Sequence, residues 1–143
     1  MDKKSLIHEI KVIDGDIFRA ISNRYKSMNI DITPMHAKII MTIYKSKELL
    51  CQKDLEASIS CNKSTMSAII STMEKNGLLI RKSCEQDSRI NYLELTDKGI
   101  DMALFLKKDR KVTEDIMLEG ITEEDYLLFT EIVNKIRKNL ERI

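Results

Sequence analysis

Apolar residues Leu6, Ile10, Ile13, Ile17 and Ile21 recur at spacings of three and four, the period of one helical face. This predicts an amphipathic helix over about residues 5–28, with Gly15 inside it at some local cost. Ile32-Thr33-Pro34 is a helix start, with Thr33 as N-cap and Pro34 at the first helical position. The helix that follows reaches about Tyr44 and buries Ile39, Ile40 and Ile43. A short helix then covers Gln52 to about Ile59, and another runs from an Asn62 cap to Asn76, ended by Gly77.

At that point the period shifts toward two. Segments 78–83 and 91–95 read as short strands joined by polar Cys84-Glu-Gln-Asp-Ser-Arg-Ile90. Thr96-Asp97 caps a long helix to about Glu119, with Ile100, Leu104 and Ile116 among its expected buried positions, and Gly120 breaks it. The last helix opens with a Thr122/Asp125 capping box and an expected staple of Ile121 on Tyr126. Its Phe129, Val133, Ile136, Leu140 and Ile143 step by four, three, four and three, a coiled-coil-like seam. The fold class is mostly α with a small β-hairpin.

Two short helices joined by Ser60-Cys61-Asn62 and followed at once by a hairpin are in the order of a winged helix-turn-helix. The first carries apolar Leu55, Ala57 and Ile59; the second carries a buried stripe of Met66, Ile69, Ile70 and Met73. Its other face presents Lys63, Ser64, Thr65, Ser67, Ala68 and Ser71. Small polar side chains suit a helix pressed into the major groove, where bulky ones would block approach. The bland alternative is an ordinary solvated face.

Charge changes that balance slightly. The whole chain of 143 residues carries 24 Lys plus Arg against 23 Asp plus Glu, which excludes a basic or acidic tail protein. Within 60–92, however, Lys63, Lys75, Arg81, Lys82 and Arg89 outnumber Glu74, Glu85 and Asp87, while 100–143 leans acidic. Arg81 and Lys82 are placed to meet phosphates, and Arg89, near the loop tip, to enter a narrow minor groove. One proline and four glycines favour long helices over a turn-rich β fold.

No apolar leader and no membrane span are visible, and Cys51, Cys61 and Cys84 lack metal or disulfide spacing, so reduced thiols in a cytoplasmic protein are expected. No phosphate loop, nucleophile elbow or ligand cluster is found, so neither an enzyme nor a cofactor or metal site is expected. The remaining non-DNA reading is a winged-helix module for protein–protein contact without operator binding.

Asp54-Leu55-Glu-Ala57, Lys63-Ser64-Thr65-Met66-Ser67, Glu74-Lys-Asn-Gly77-Leu78-Leu-Ile-Arg81, Asp87-Ser-Arg89 and Leu95-Thr96 with Lys98-Gly99 follow one another without large gaps. In that set the sequence resembles the multiple-antibiotic-resistance-regulator (MarR) family. The resemblance covers nearly the whole chain. It implies one domain over 1–143, with a DNA-binding lobe at 33–99 and dimerisation helices at 5–28 and 100–143. It further implies a homodimeric transcription regulator, more often a repressor, on a palindromic operator, released by a small molecule or an oxidant. DNA-binding positions are then Asn62, Lys63, Ser64, Thr65, Ser67, Ala68, Ser71, Arg81, Lys82, Asp87 and Arg89, with Asp87 bracing Arg89. An effector pocket between dimer helices and lobe would involve Arg24, Tyr25, His36 and Met41. Two departures stand out: Cys51 occupies a cap position that expects a hydroxyl, and Ala68 and Ser71 make the recognition helix less cationic than many.

Overall fold

The structure, a computed structural model, describes residues 5–143. Its elements are α1 (Leu6–Ser27), α2 (Pro34–Lys45), β1 (Leu50–Cys51), α3 (Gln52–Ile59), α4 (Lys63–Lys75), β2 (Leu79–Ser83), β3 (Asn91–Leu95), α5 (Asp97–Met117) and α6 (Glu123–Leu140). The predicted helices and hairpin are all present, within a few residues of their expected ends. Strand β1 is the addition. It is two residues long and antiparallel to β3, with Leu50 opposite Leu93 and Cys51 opposite Tyr92, so the sheet order is β1-β3-β2. Two residues cannot display an alternation, so only the pairing partner defines this strand.

The chain divides into two compact units, one reaching Leu106 and one from Lys107 to Ile143. The first holds the core. Ile39 and Ile40 of α2, Leu55 of α3, Met66, Ile70 and Met73 of α4, and Leu78, Leu79 and Leu93 of the hairpin are almost fully buried. Spacings of four and three put Met66, Ile70 and Met73 on one side of α4, and this single stripe decides which face is left outward. Of the apolar positions on α3, Leu55 and Ile59 are buried and Ala57 is exposed.

The expected buried positions of α5 require correction. Ile100, Leu104 and Ile116 are 39%, 45% and 59% exposed, and the residues that go inside are Gly99, Ala103, Leu106 and Asp109. The reason is clearance. A methyl placed on Gly99 would lie 2.1 Å from the Leu78 carbonyl oxygen, so the helix start meets the hairpin along its smallest side chains. Hydrogen bonds fasten the same corner. Thr96 N–H donates to the Leu78 carbonyl at 3.1 Å, its hydroxyl donates to the Gly77 carbonyl, and Lys98 Nζ donates to the Asn76 carbonyl at 2.8 Å. Gly77 has φ +73°, a left-handed turn that glycine adopts without strain and that swings α4 into β2.

In α1, Leu6, Ile10 and Ile13 are exposed, Ile17 and Ile21 half-buried, and Tyr25 buried. In the second unit, α6 begins with the expected box: Asp125 N–H donates to Thr122 Oγ1 and Thr122 N–H to Asp125 Oδ2, each at 3.1 Å. The Thr122 hydroxyl, then its N–H, hold the Asp125 carboxyl below its usual range. Ile121 and Tyr126 both stay exposed. No residue of α6 is buried: Phe129 is 63% exposed, Leu140 57%, and Val133 and Ile136 are half-buried.

Candidate nucleic-acid interface

Helix α4 is presented by three local devices. Asn62 Oδ1 accepts from the Thr65 N–H at 2.8 Å and caps the helix start. Ser60, at φ +54°, turns α3 sharply into that cap. Gln52 Nε2, at the start of α3, donates to the Lys63 carbonyl at 3.3 Å and ties the two helix starts together. The half-missing box of α3 keeps its acidic half, since the Cys51 N–H donates to Asp54 Oδ2 at 2.8 Å. That N–H, followed by the Cys51 side chain, holds the Asp54 carboxyl below its usual range.

With its apolar stripe inside, α4 turns Lys63, Ser64, Thr65, Ala68 and Ser71 outward, with Ser67 half-buried. The Thr72 hydroxyl donates back to the Ala68 carbonyl at 3.1 Å.

The wing is closed at its neck, where Cys84 N–H donates to the Ile90 carbonyl at 2.9 Å and Ile90 N–H to the Asp87 carbonyl at 3.0 Å. Inside this turn Asp87 holds Arg89. Oδ1 accepts from the Arg89 backbone N–H at 3.0 Å and from Nε at 3.1 Å, and Oδ2 accepts from a terminal guanidinium nitrogen at 3.2 Å. The guanidinium, and next the backbone N–H, hold the Asp87 carboxyl below its usual range. Backbone N–H groups of Gln86 and Asp87 lower the neighbouring Cys84 thiol in the same way.

The other two wing cations are engaged on the protein. Lys82 Nζ pairs with Glu94 Oε2 across the hairpin at 2.8 Å. Arg81 reaches the other way, donating from one terminal nitrogen to Ser71 Oγ at 3.2 Å and lying 3.6 Å from Glu74 Oε1 with the other. Exposure separates the two arginines: 30% for the Arg81 side chain and 89% for Arg89.

Between α3, the start of α4 and the wing lies an open cleft of about 640 Å³ lined by Lys53, Glu56, Lys63, Ser67, Arg81 and Arg89 among others. Four cations line this concavity with Glu56, and Asp87 and Glu74 pair with two of them, so a small positive excess remains, which suits a phosphate backbone. Lys53 was not among the residues expected here. Its signal was its place on the first helix of the motif, the one that crosses the DNA backbone in this architecture.

The proposed effector residues fall in the first unit. Tyr25 is buried in the core and Met41 packs half-buried against it. His36 serves as a cap: its Nδ1 accepts from the Thr33 N–H and its own N–H donates to Thr33 Oγ1, both at 3.2 Å. Burial pushes this imidazole below its ordinary pKa, opposed by the Asp31 carboxylate. Arg24 is half-buried at the end of α1, where its carbonyl accepts from the Ser27 hydroxyl at 2.8 Å.

Among the described residues no helix is long and apolar enough to cross a membrane.

Comparison with known proteins agrees with this architecture. Residues 32–90 match the MarR family model. The chain is 25% identical over 130 residues to the uncharacterized HTH-type transcriptional regulator YybA of Bacillus subtilis (strain 168), covering 90% of this chain and 86% of that one. The S. aureus MepR–DNA complex superposes with a TM-score of 0.86 at 18% identity, over 96% of this chain and 99% of that one. A putative MarR family transcriptional regulator from Listeria monocytogenes, complexed with 26mer DNA, superposes at 0.79 with 22% identity, over 96% and 90%. Residues 32–90 therefore form a lobe that matches the MarR family, and the chain as a whole has the winged helix-turn-helix fold of the solved regulators it superposes on.

Proposed function

We propose that the protein is a homodimeric repressor that binds a palindromic operator in the cytoplasm and is released by a small-molecule ligand. The observation that carries the DNA half of this reading is Arg89, held by Asp87 through its backbone N–H and one guanidinium edge yet 89% exposed, in the cleft that Lys63 and Ser67 of α4 also line. In the proposed mode α4 enters the major groove with Ser64, Thr65, Ser67 and Ala68 toward base edges. Lys53 and Lys63 meet phosphates, Lys82 stays paired with Glu94 at the wing edge, and Arg89 enters the adjacent minor groove. Asn62 and Ser71 border the same face.

The assembly half rests on apolar surface without cover in the single chain: Leu6, Ile10 and Ile13 on α1, and Phe129 and Leu140 on α6. Side chains of this size at helical spacing favour pairing with the same helices of a second copy. Two-fold symmetry would set the two recognition helices about one DNA turn apart, roughly 34–36 Å. Ligand release follows from the family. Tyr25, near the end of α1, and Met41, in the second half of α2, are its candidate contacts, beside Arg24 and His36.

The test is selection of bound fragments from random duplex DNA by the purified protein. An enriched palindrome supports operator binding and two-fold symmetry together. Binding to a protein partner without steep loss of duplex affinity as salt rises would instead favour a protein-contact module.

A further inference from the structure

Arg81 is the one wing arginine whose charge is turned back onto the recognition helix. Strand β2 is an edge of the sheet, and its Arg81 lies opposite Leu93 of β3. The Arg81 backbone N–H, with no further strand to meet, donates to Glu74 Oε2 at 3.2 Å. The guanidinium of the same residue lies 3.6 Å from Glu74 Oε1 and donates to Ser71 Oγ at 3.2 Å. One carboxylate on α4 therefore holds both the backbone and the side chain of a wing residue. Glu74 is the only acid in α4, and it is 40% exposed beside a face that otherwise suits a polyanion.

We propose that Glu74 is a positioning residue for DNA discrimination, acting through Arg81: it withdraws one cation from the phosphate-binding set and fixes the wing against the recognition helix. The proposal rests on the DNA-binding mode given above. Phosphate contacts add affinity for every sequence equally, whereas base contacts add it for one. A cation held on the protein thus lowers binding to random DNA without weakening readout. The same bond keeps wing and helix in one register, so both grooves are met at the same time.

Salt titration distinguishes this role from a merely structural one, because each phosphate neutralised steepens the slope of log affinity against log salt by about 0.9. The measurement is fluorescence anisotropy with the enriched palindrome and a scrambled duplex of equal length, for the wild type, Glu74→Gln, Arg81→Gln and the double variant. Glu74→Gln keeps an acceptor for the Arg81 N–H but loses the charge. It is expected to bind the scrambled duplex about two- to fivefold more tightly, the size of one exposed ion pair. Its slope should steepen by about 0.9, and its preference for the palindrome should fall. Arg81→Gln should keep the wild-type slope, and the double variant should return to it. A flatter slope in Arg81→Gln would show Arg81 already on a phosphate and overturn the assignment, as would an unchanged slope in a folded Glu74→Gln. If Glu74→Gln fails to fold, Arg81→Gln alone still decides. A wild type that binds neither duplex in a salt-dependent way would overturn the DNA-binding mode itself, and this proposal with it.

Discussion

Asp87 holds Arg89 through three hydrogen bonds of 3.0–3.2 Å while leaving the arginine side chain 89% exposed. An exposed ion pair of this kind adds little to folding stability. What it supplies is direction: the carboxylate holds the Arg89 backbone N–H and one edge of its guanidinium, and leaves the rest of that group to solvent on a loop whose neck is already closed. Arg89→Ala is therefore expected to weaken operator binding by about fivefold or more, flatten the salt slope by roughly one counterion or less, and leave the melting temperature nearly unchanged. Asp87→Ala should weaken binding in the same direction with the cation still present. Anisotropy at several salt concentrations beside thermal melts checks both, and unchanged affinity in Arg89→Ala would remove the wing from the interface.

Thr65 and Asn62 separate reading from folding. The Thr65 backbone N–H is the capped donor, so Thr65→Ala removes the outward side chain and leaves the Asn62 cap intact. It should lower operator affinity with little change in melting. Asn62→Ala removes the cap itself and should cost about 1 kcal/mol of stability. Equal melting losses in the two variants would mark Thr65 as structural.

Gly99→Ala sets helix propensity against clearance. Alanine is the better helix former by about 1 kcal/mol, which by itself predicts stabilisation. Its methyl would lie 2.1 Å from the Leu78 carbonyl oxygen, however, and a backbone atom cannot move aside as a flexible side chain can. We expect a net loss of about 1–3 kcal/mol, as for other overpacked sites. Urea unfolding measures the sign directly.

His36 links stability to pH. Its Nδ1 must be unprotonated to accept the Thr33 N–H, and burial lowers its folded-state pKa. The unfolded chain then binds the proton more readily. The contribution is complete above the unfolded value of about 6.5, falls as pH drops through it, and levels off below the folded value. Melts at pH 7.5 and 5.5 should show a loss that His36→Gln, which retains an acceptor, reduces. An identical pH dependence in the variant would assign the effect elsewhere.

Ile136→Asp addresses assembly. Ile136 lies in the α6 seam between Val133 and Leu140, on a helix with no buried residue. A charge there should convert a dimer into monomer or unfolded chain, read by sedimentation at micromolar concentration. A wild type that sediments as a monomer would remove the dimer from the proposal.

The sequence by itself determined the helices, their caps, the hairpin and the outward face of α4, because each is written in residues close together in the chain. Thr33 and Pro34, Asn62, Gly77, and Thr122 with Asp125 mark their ends through bonds to neighbours a few positions away. The stripe of Met66, Ile70 and Met73 fixes which side of α4 goes inward. The Asp87–Arg89 pair was legible for the same reason, its members being two residues apart. Tertiary structure alone decided what depends on distant partners. Strand β1 exists only because β3 lies beside it. The inner face of α5 starts at Gly99 and runs through Ala103 and Leu106 rather than Ile100 and Leu104, since the Leu78 carbonyl leaves room at the first of these positions for glycine alone and so sets which face turns inward. Arg81 and Arg89 look alike in the sequence, but the carboxylate of Glu74, seven positions before Arg81 and across a turn, turns one toward the protein and leaves the other to solvent.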